Sequence, residues 1–116
     1  MSDYRERLLP EAVRTVNSAS FAGSYLPFRD SLAVISPITN PSRVLLLING
    51  SGIIVTISWD GVTDHLVLLP GAGFAMDENA NAVANARFMT AAGTQFYAKG
   101  SVADTGLIYL STFYAS

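Results

Sequence analysis

An all-β fold, an antiparallel β-sandwich of jelly-roll-like or Ig-like type with an extended N-terminal arm, follows from three observations in this sequence. The first is the run over 43–70, RVLLLINGSGIIVTISWDGVTDHLVLLP, where apolar and β-branched stretches are interrupted by Asn49-Gly50 and Asp60-Gly61. Such dipeptides accept the positive φ of a two-residue hairpin loop and are the strongest short-range hairpin signal a sequence offers. The second is rhythm. About six or seven short strands recur at roughly 8–12-residue spacing, and the pieces between them are too short for parallel crossovers. The third is the contrast with residues 1–42. There Pro10, Pro27, Pro37 and Pro41 deny the chain long regular elements, because each lacks an N–H and restrains its predecessor.

Taken in order, residues 3–9 can form one or two helical turns, ended by Pro10. Short strands follow around 14–16 and 32–35. The expected division is an arm over 1–42 and a β-sandwich domain over 43–116. The arm is too apolar to float free, yet its prolines keep it from building a core of its own. The arm should pack on its own domain or on a neighbour, and the interface residues expected are Tyr25, Leu26 and Phe28 with Arg14 and Arg29, since arginine suits bidentate pairing with carboxylates there, solubility of the arm being the other reading of its arginines.

From residue 43 the chain is strand and turn. Residues 43–49 read as a central strand covered on both faces. Ile53, Val55, Ile57 and Trp59 alternate with Ile54, Thr56 and Ser58, which predicts that the first set faces the core. A strand over 65–69 stops at Pro70-Gly71, and 73–76 is another. In 77–86 the alanines suit a short helix and the asparagines an exposed loop, and the loop is the reading adopted. Strands over 87–90 and 94–99 flank Ala91-Ala92-Gly93. After a turn at 100–106, a last strand over 107–114 places Leu107, Tyr109 and Phe113 on one face.

Composition narrows function. Of the 116 residues 50% are hydrophobic and only 14% charged, against about 25% charged in an ordinary globular domain. So few charges imply that apolar surface is covered by other chains, and a homo-oligomer is expected. The net charge of −2 favours neither nucleic acid nor an anionic membrane. Only Arg87 and Lys99 are basic beyond residue 43, so no basic face for nucleic acid is expected. Without cysteine there is neither a disulfide framework nor a thiolate metal site.

The catalytic candidates are sparse. His65 is the one histidine, with Asp60, Asp64 and Ser58 close in sequence. No GxSxG elbow accompanies them. The simpler reading makes Asp60-Gly61 a turn and His65 a half-exposed, solvated strand residue. Asp60, Asp64, Asp77 and Glu78 are hard oxygen ligands but lack EF-hand spacing. No catalytic residue, cofactor or metal is assigned. The aromatics Trp59, Phe74, Phe88, Phe96, Tyr97, Tyr109, Phe113 and Tyr114 could include a sugar platform, though packing and interface anchoring are their commoner roles. Trp59 is expected in the core or an interface.

Three stretches carry a resemblance. NPSRVLLLINGSGIIVTISWDGVTDHLVLLPGAGFAMD, then AAGTQFYAKG, then TGLIYLSTFYA, resemble small virion structural proteins of tailed bacteriophages over roughly residues 40–115. The resemblance implies a non-enzymatic role in the virion: a capsid decoration (cement) or head/neck-associated protein. The alternative is a tail or fibre-associated module contacting a host-surface carbohydrate receptor. Implied partners are further copies of the chain, in trimers or hexamers, and the major capsid, portal or tail proteins, with no nucleic acid and no membrane.

Overall fold

A computed structural model describes residues 8–77 and 91–115. Nine strands are described: β1 (Leu8–Pro10), β2 (Arg14–Asn17), β3 (Leu26–Pro27), β4 (Val44–Asn49), β5 (Val55–Ser58), β6 (Leu66–Leu68), β7 (Gly73–Asp77), β8 (Tyr97–Lys99) and β9 (Leu107–Ala115). A single 3₁₀ turn, Ser18–Ser20, separates β2 from β3.

These strands make two antiparallel sheets. In sheet A, β1 and β2 both lie along β9, followed by β4 and β7; sheet B runs β3-β8-β5-β6. Four of the pairings nest one inside another: β2 with β9, β3 with β8, β4 with β7, and β5 with β6. The folded-over ribbon is then closed by β4 against β9 and β5 against β8. This is a jelly roll; an Ig-like order would instead set the first two strands side by side in one sheet.

Alternation decides which residues meet between the sheets. Leu45 and Leu47 of β4, Ile108 and Leu110 of β9, and Val16 of β2 point inward from sheet A. Val55 and Ile57 of β5, Leu68 of β6 and Ala98 of β8 answer from sheet B. Phe21, Phe28, Ile38 and Phe96 complete the same cluster. Burying a side chain of this size stabilises by about 1.5–3 kcal/mol each.

Several expectations need correction. Residues 8–42 are not an arm beside a sandwich. They supply β2 to one sheet and β3 to the other, and Val16, Phe21, Phe28 and Ile38 belong to the shared core. Prolines obscured this because strands of two to four residues suffice here. Leu8–Pro10 is a strand rather than the end of a helix. At 32–35 only Ile35 bridges, to Arg29. β4 is central but not covered twice, since Val44, Leu46 and Ile48 face outward. The strand expected over 87–90 lies outside the described residues, as does the loop expected over 77–86 except for Asp77, which ends β7.

The two dipeptides also part company. β4 and β5 lie in different sheets, so Asn49-Gly50 is a corner and not a hairpin turn. Gly50 is required there by closeness: a Cβ would stand 2.5 Å from the Leu107 carbonyl oxygen. Asp60-Gly61 does sit in the β5–β6 hairpin, with Gly61 at φ 81°, but the loop spans 59–65.

Candidate functional site

The five residues expected at an interface separate into buried and accessible ones. Phe28 is wholly buried, and Arg14 is 4% exposed. The Arg14 guanidinium donates to Ser36 O (2.8 Å), Pro37 O (2.9 Å) and Glu11 Oε1 (2.8 Å). Glu11 in turn accepts from Thr39 N, Asn40 N and Asn40 Nδ2. Burial pushes the Glu11 carboxyl up, but these hydrogen bonds outweigh it and hold the group below its usual value. Arg14 thus pins the 36–40 segment to β2 inside one subunit and reaches no neighbour. Phe28 and Arg14 are hence corrected from interface to interior.

Tyr25 and Leu26 are half-buried and Arg29 is exposed. Arg29 and Leu26 line a cleft of about 400 Å3 with Thr15, Pro27 and Asp30. Arg29 Nη1 donates to Ala33 O at 2.9 Å. Asp30 Oδ1 accepts from Leu32 N and Val34 N, which fixes a tight loop with Ala33 at φ 62°.

The outer face of sheet A is a second feature, and it is apolar. Register sets Val44 beside Phe113, Leu46 between Ser111 and Ala75, and Ile48 between Tyr109 and Gly73. Thr15 continues the Tyr109 row. An acidic residue enters the register only opposite Val44, at Asp77 where β7 ends. Antiparallel sheets that face water on one side normally alternate apolar-in with polar-out. Here the outward set of the central strand is as apolar as the inward one, with Ile48 38% and Tyr109 36% exposed.

The third feature is the β5–β6 loop. Core alternation ends at Ile57. Ser58 stays on the outer face with its partner Tyr97 and is buried under its own loop, where its hydroxyl donates to Asp60 Oδ1 (2.8 Å) and accepts from the N–H groups of Asp60 and Gly61. Trp59, just past the end of β5, is 42% exposed and so is not a fully buried core residue. Its ring stacks on His65 with centroids 4.0 Å apart and planes at 6°, and the Trp59 backbone N–H donates to His65 Nδ1 at 3.2 Å. His65 is thus engaged rather than simply solvated. Phe96 meets the indole at a tilt, centroids 6.1 Å apart.

Asp60 Oδ1 also accepts from Val62 N (2.7 Å) and Thr63 N (2.8 Å). Those two N–H groups, with the Ser58 hydroxyl, hold its carboxyl far below the usual carboxylate range. Asp64 Oδ1 accepts from the Tyr25 hydroxyl and from Lys99 Nζ at 3.1 Å, and the Lys99 ammonium lies 4.5 Å from the Tyr25 ring centroid. The Asp64 carboxyl is lowered, first by Tyr25 and then by Lys99. Burial, then the Asp64 hydrogen bond, pushes the Tyr25 phenol up to about 12.

Ser58, Asp60 and His65 are neighbours without being a relay. The serine hydroxyl is spent on Asp60 and the loop amides, and His65 Nδ1 is spent on the Trp59 N–H. Among the described residues no three His, Asp or Glu side chains gather as a metal site, and no helix is long and apolar enough to cross a membrane. Sequence reasoning missed the roles of Tyr25 and Lys99 because their meeting with Asp64 depends on β3, β8 and the loop being brought together. Neither a family model, nor a curated protein, nor a solved structure matches this chain.

Proposed function

We propose that this chain is a non-enzymatic structural subunit of a bacteriophage virion, a capsid decoration or head/neck-associated protein that assembles with copies of itself and with the shell around it. The observation that carries the reading is the outer face of sheet A: a nearly charge-free, apolar sheet surface on a chain with only 14% charged residues. Such a surface suits burial against another subunit. A jelly roll is compatible, being common among capsid domains, but lectins and cupins share it, so the fold adds analogy alone. The sequence resemblance over roughly residues 40–115 points the same way.

Trimers or hexamers of the chain would match the local symmetry of a particle. The test is direct. Purified particles are analysed by mass spectrometry and cryo-EM, with the expectation of a fixed copy number at symmetry-related positions. Absence of the chain from intact particles refutes the reading. In isolation, Leu46→Lys should turn an oligomer into a monomer in sedimentation while leaving the circular dichroism spectrum unchanged.

A further inference from the structure

We infer that Asn49-Gly50 is a latent self-modification site, held shut by the folded sandwich and opened by unfolding. The inference rests on the β4–β5 corner alone and stands or falls separately from the particle reading.

The sequence sets the chemistry. An asparagine amide is an acyl group whose leaving group is ammonia, and the next backbone nitrogen is its nearest nucleophile. Of the chain's asparagines only Asn49 precedes glycine. Gly50 has no side chain to shield its nitrogen, and an unfolded glycine swings more freely than any other residue. In an open chain the Gly50 nitrogen gives up its proton and attacks Asn49 Cγ. A C–N bond forms, the bond to Nδ2 breaks, and Nδ2 leaves with that proton as ammonia. Water then opens the cyclic imide at either carbonyl, which leaves aspartate or isoaspartate at this position. No oxidant, metal or second protein is required.

The fold restrains each reacting group. Gly50 N–H donates to Leu107 O at 2.9 Å, which retains the proton that must leave. Asn49 Nδ2 donates to Ile53 O (2.8 Å), Leu68 O (3.2 Å) and Leu69 O (3.2 Å). Asn49 Oδ1 accepts from Ser51 N (3.0 Å) and Ser51 Oγ (2.6 Å). Closing the imide means taking the amide off all of these partners while Asn49, the last residue of β4, leaves its extended backbone. Buried groups stripped of their hydrogen bonds are costly, so ring closure waits on an opening of the corner. Asn49 is wholly buried, so the water that opens the imide is kept out as well.

The product does not fit back. In aspartate an oxygen without a proton replaces Nδ2 and meets the carbonyls of Ile53, Leu68 and Leu69. Isoaspartate adds a carbon to the backbone at a place with no room for one, since a Cβ on Gly50 would already stand 2.5 Å from Leu107 O. The modification is therefore one-way: it marks chains that have opened and bars their return to the sandwich.

The full chain is incubated in mildly alkaline buffer, native in one arm and in guanidinium chloride in the other, then digested with trypsin. The peptide from Val44 to Arg87 is followed by mass spectrometry, with fragmentation locating the change and a methyltransferase assay reporting isoaspartate. In denaturant Asn49 should convert before every other asparagine. In the native chain its conversion should be at least about tenfold slower, because the corner must open first. Chains modified at Asn49, separated by ion exchange, should not regain the native circular dichroism spectrum when denaturant is removed, whereas unmodified chains do. Should unmodified chains themselves refold poorly, the ratio of the two rates still decides. Three results overturn the proposal: native Asn49 converts within about tenfold of the denatured rate, another asparagine converts first in denaturant, or modified chains refold with an unchanged urea midpoint.

Discussion

Asn49 at the β4–β5 corner and Asp60 in the β5–β6 loop each organise backbone with one short polar side chain, in opposite surroundings. Asn49 is wholly buried. Its amide nitrogen donates to Ile53 O, Leu68 O and Leu69 O, and its oxygen accepts from Ser51 N and Ser51 Oγ. Because β4 belongs to sheet A and Leu68 to sheet B, this one side chain ties the two sheets together. Asp60 is exposed and ties only its own loop. The difference lies in what the backbone presents. A corner lined by carbonyls requires a donor, and in a buried place a neutral one. A loop lined by N–H groups requires only an acceptor, and water tolerates its charge.

The hardest break of that contrast is Asn49→Asp, which places a buried carboxylate against the carbonyls of Ile53, Leu68 and Leu69. We expect a loss of about 3–5 kcal/mol, much of a typical stability of about 5–15 kcal/mol, seen as insolubility or as unfolding at low urea. Asn49→Ala should cost about 3 kcal/mol through unpaired carbonyls alone. A urea midpoint unchanged by either variant would refute the two-sheet role.

Arg14→Ala comes next. It takes the cation from Glu11, leaves the Ser36 and Pro37 carbonyls without their guanidinium donor, and should cost about 3 kcal/mol, in a variant that keeps its oligomeric state, since Arg14 faces inward. The folded Glu11 carboxyl lies below its ordinary value of 4.5, so its ionised form stabilises the fold above that pH. That contribution fades as pH falls through the depressed value, and Glu11→Gln should flatten the acid limb of a melting-temperature profile.

Tyr25 gives a smaller effect at the other end of the scale. Its phenol is raised from 10.0 to about 12, so the folded state holds its proton longer than the unfolded chain. The resulting stability is intact below pH 10 and lost as pH rises through about 12. Tyr25→Phe should remove that alkaline loss, and phenolate absorbance should show one tyrosine titrating late. Smallest of all is Asp60→Asn. The ionised group helps above the ordinary carboxylate range and stops helping as pH falls through its depressed value, so the variant should melt slightly lower at neutral pH and match the parent in strong acid.

Much of the fold was legible because apolar and β-branched runs mark strands wherever they are long enough: β4, β5, β6 and β9 all coincide with such runs. What escaped was decided at a distance. β3 is two residues including Pro27, and only its partner Tyr97–Lys99 makes it a strand. Asn49-Gly50 carries a hairpin's local chemistry, yet whether a turn stays in one sheet or crosses to the other is set by the sandwich. Alternation placed Val55 and Ile57 correctly, but Trp59 lies one residue past the end of β5, where the sandwich no longer covers it fully. Phe28 and Arg14 looked like interface residues because the prolines around them concealed a shared core. Of the loop cluster, Trp59, Asp60, Asp64 and His65 stood together in sequence, while Tyr25 and Lys99 arrive from other strands.

The nested pairing of the strands also prescribes an order of assembly. Ile57 and Leu66 of the innermost pair are close neighbours along the chain, whereas Arg14 must find Leu110 and Leu8 must find Ala115. Closing a short loop costs less entropy than closing a long one. The β5–β6 hairpin can therefore form first and each outer pair can zip onto the last, so that Trp59 and His65 meet early while β1 closes onto β9 last. Such a ribbon, rich in distant contacts, belongs to the slow end of folding rates. Until β9 has docked, the outward residues of β4 stand in water along an unpaired edge, and during that interval a second chain can take the place reserved for β9.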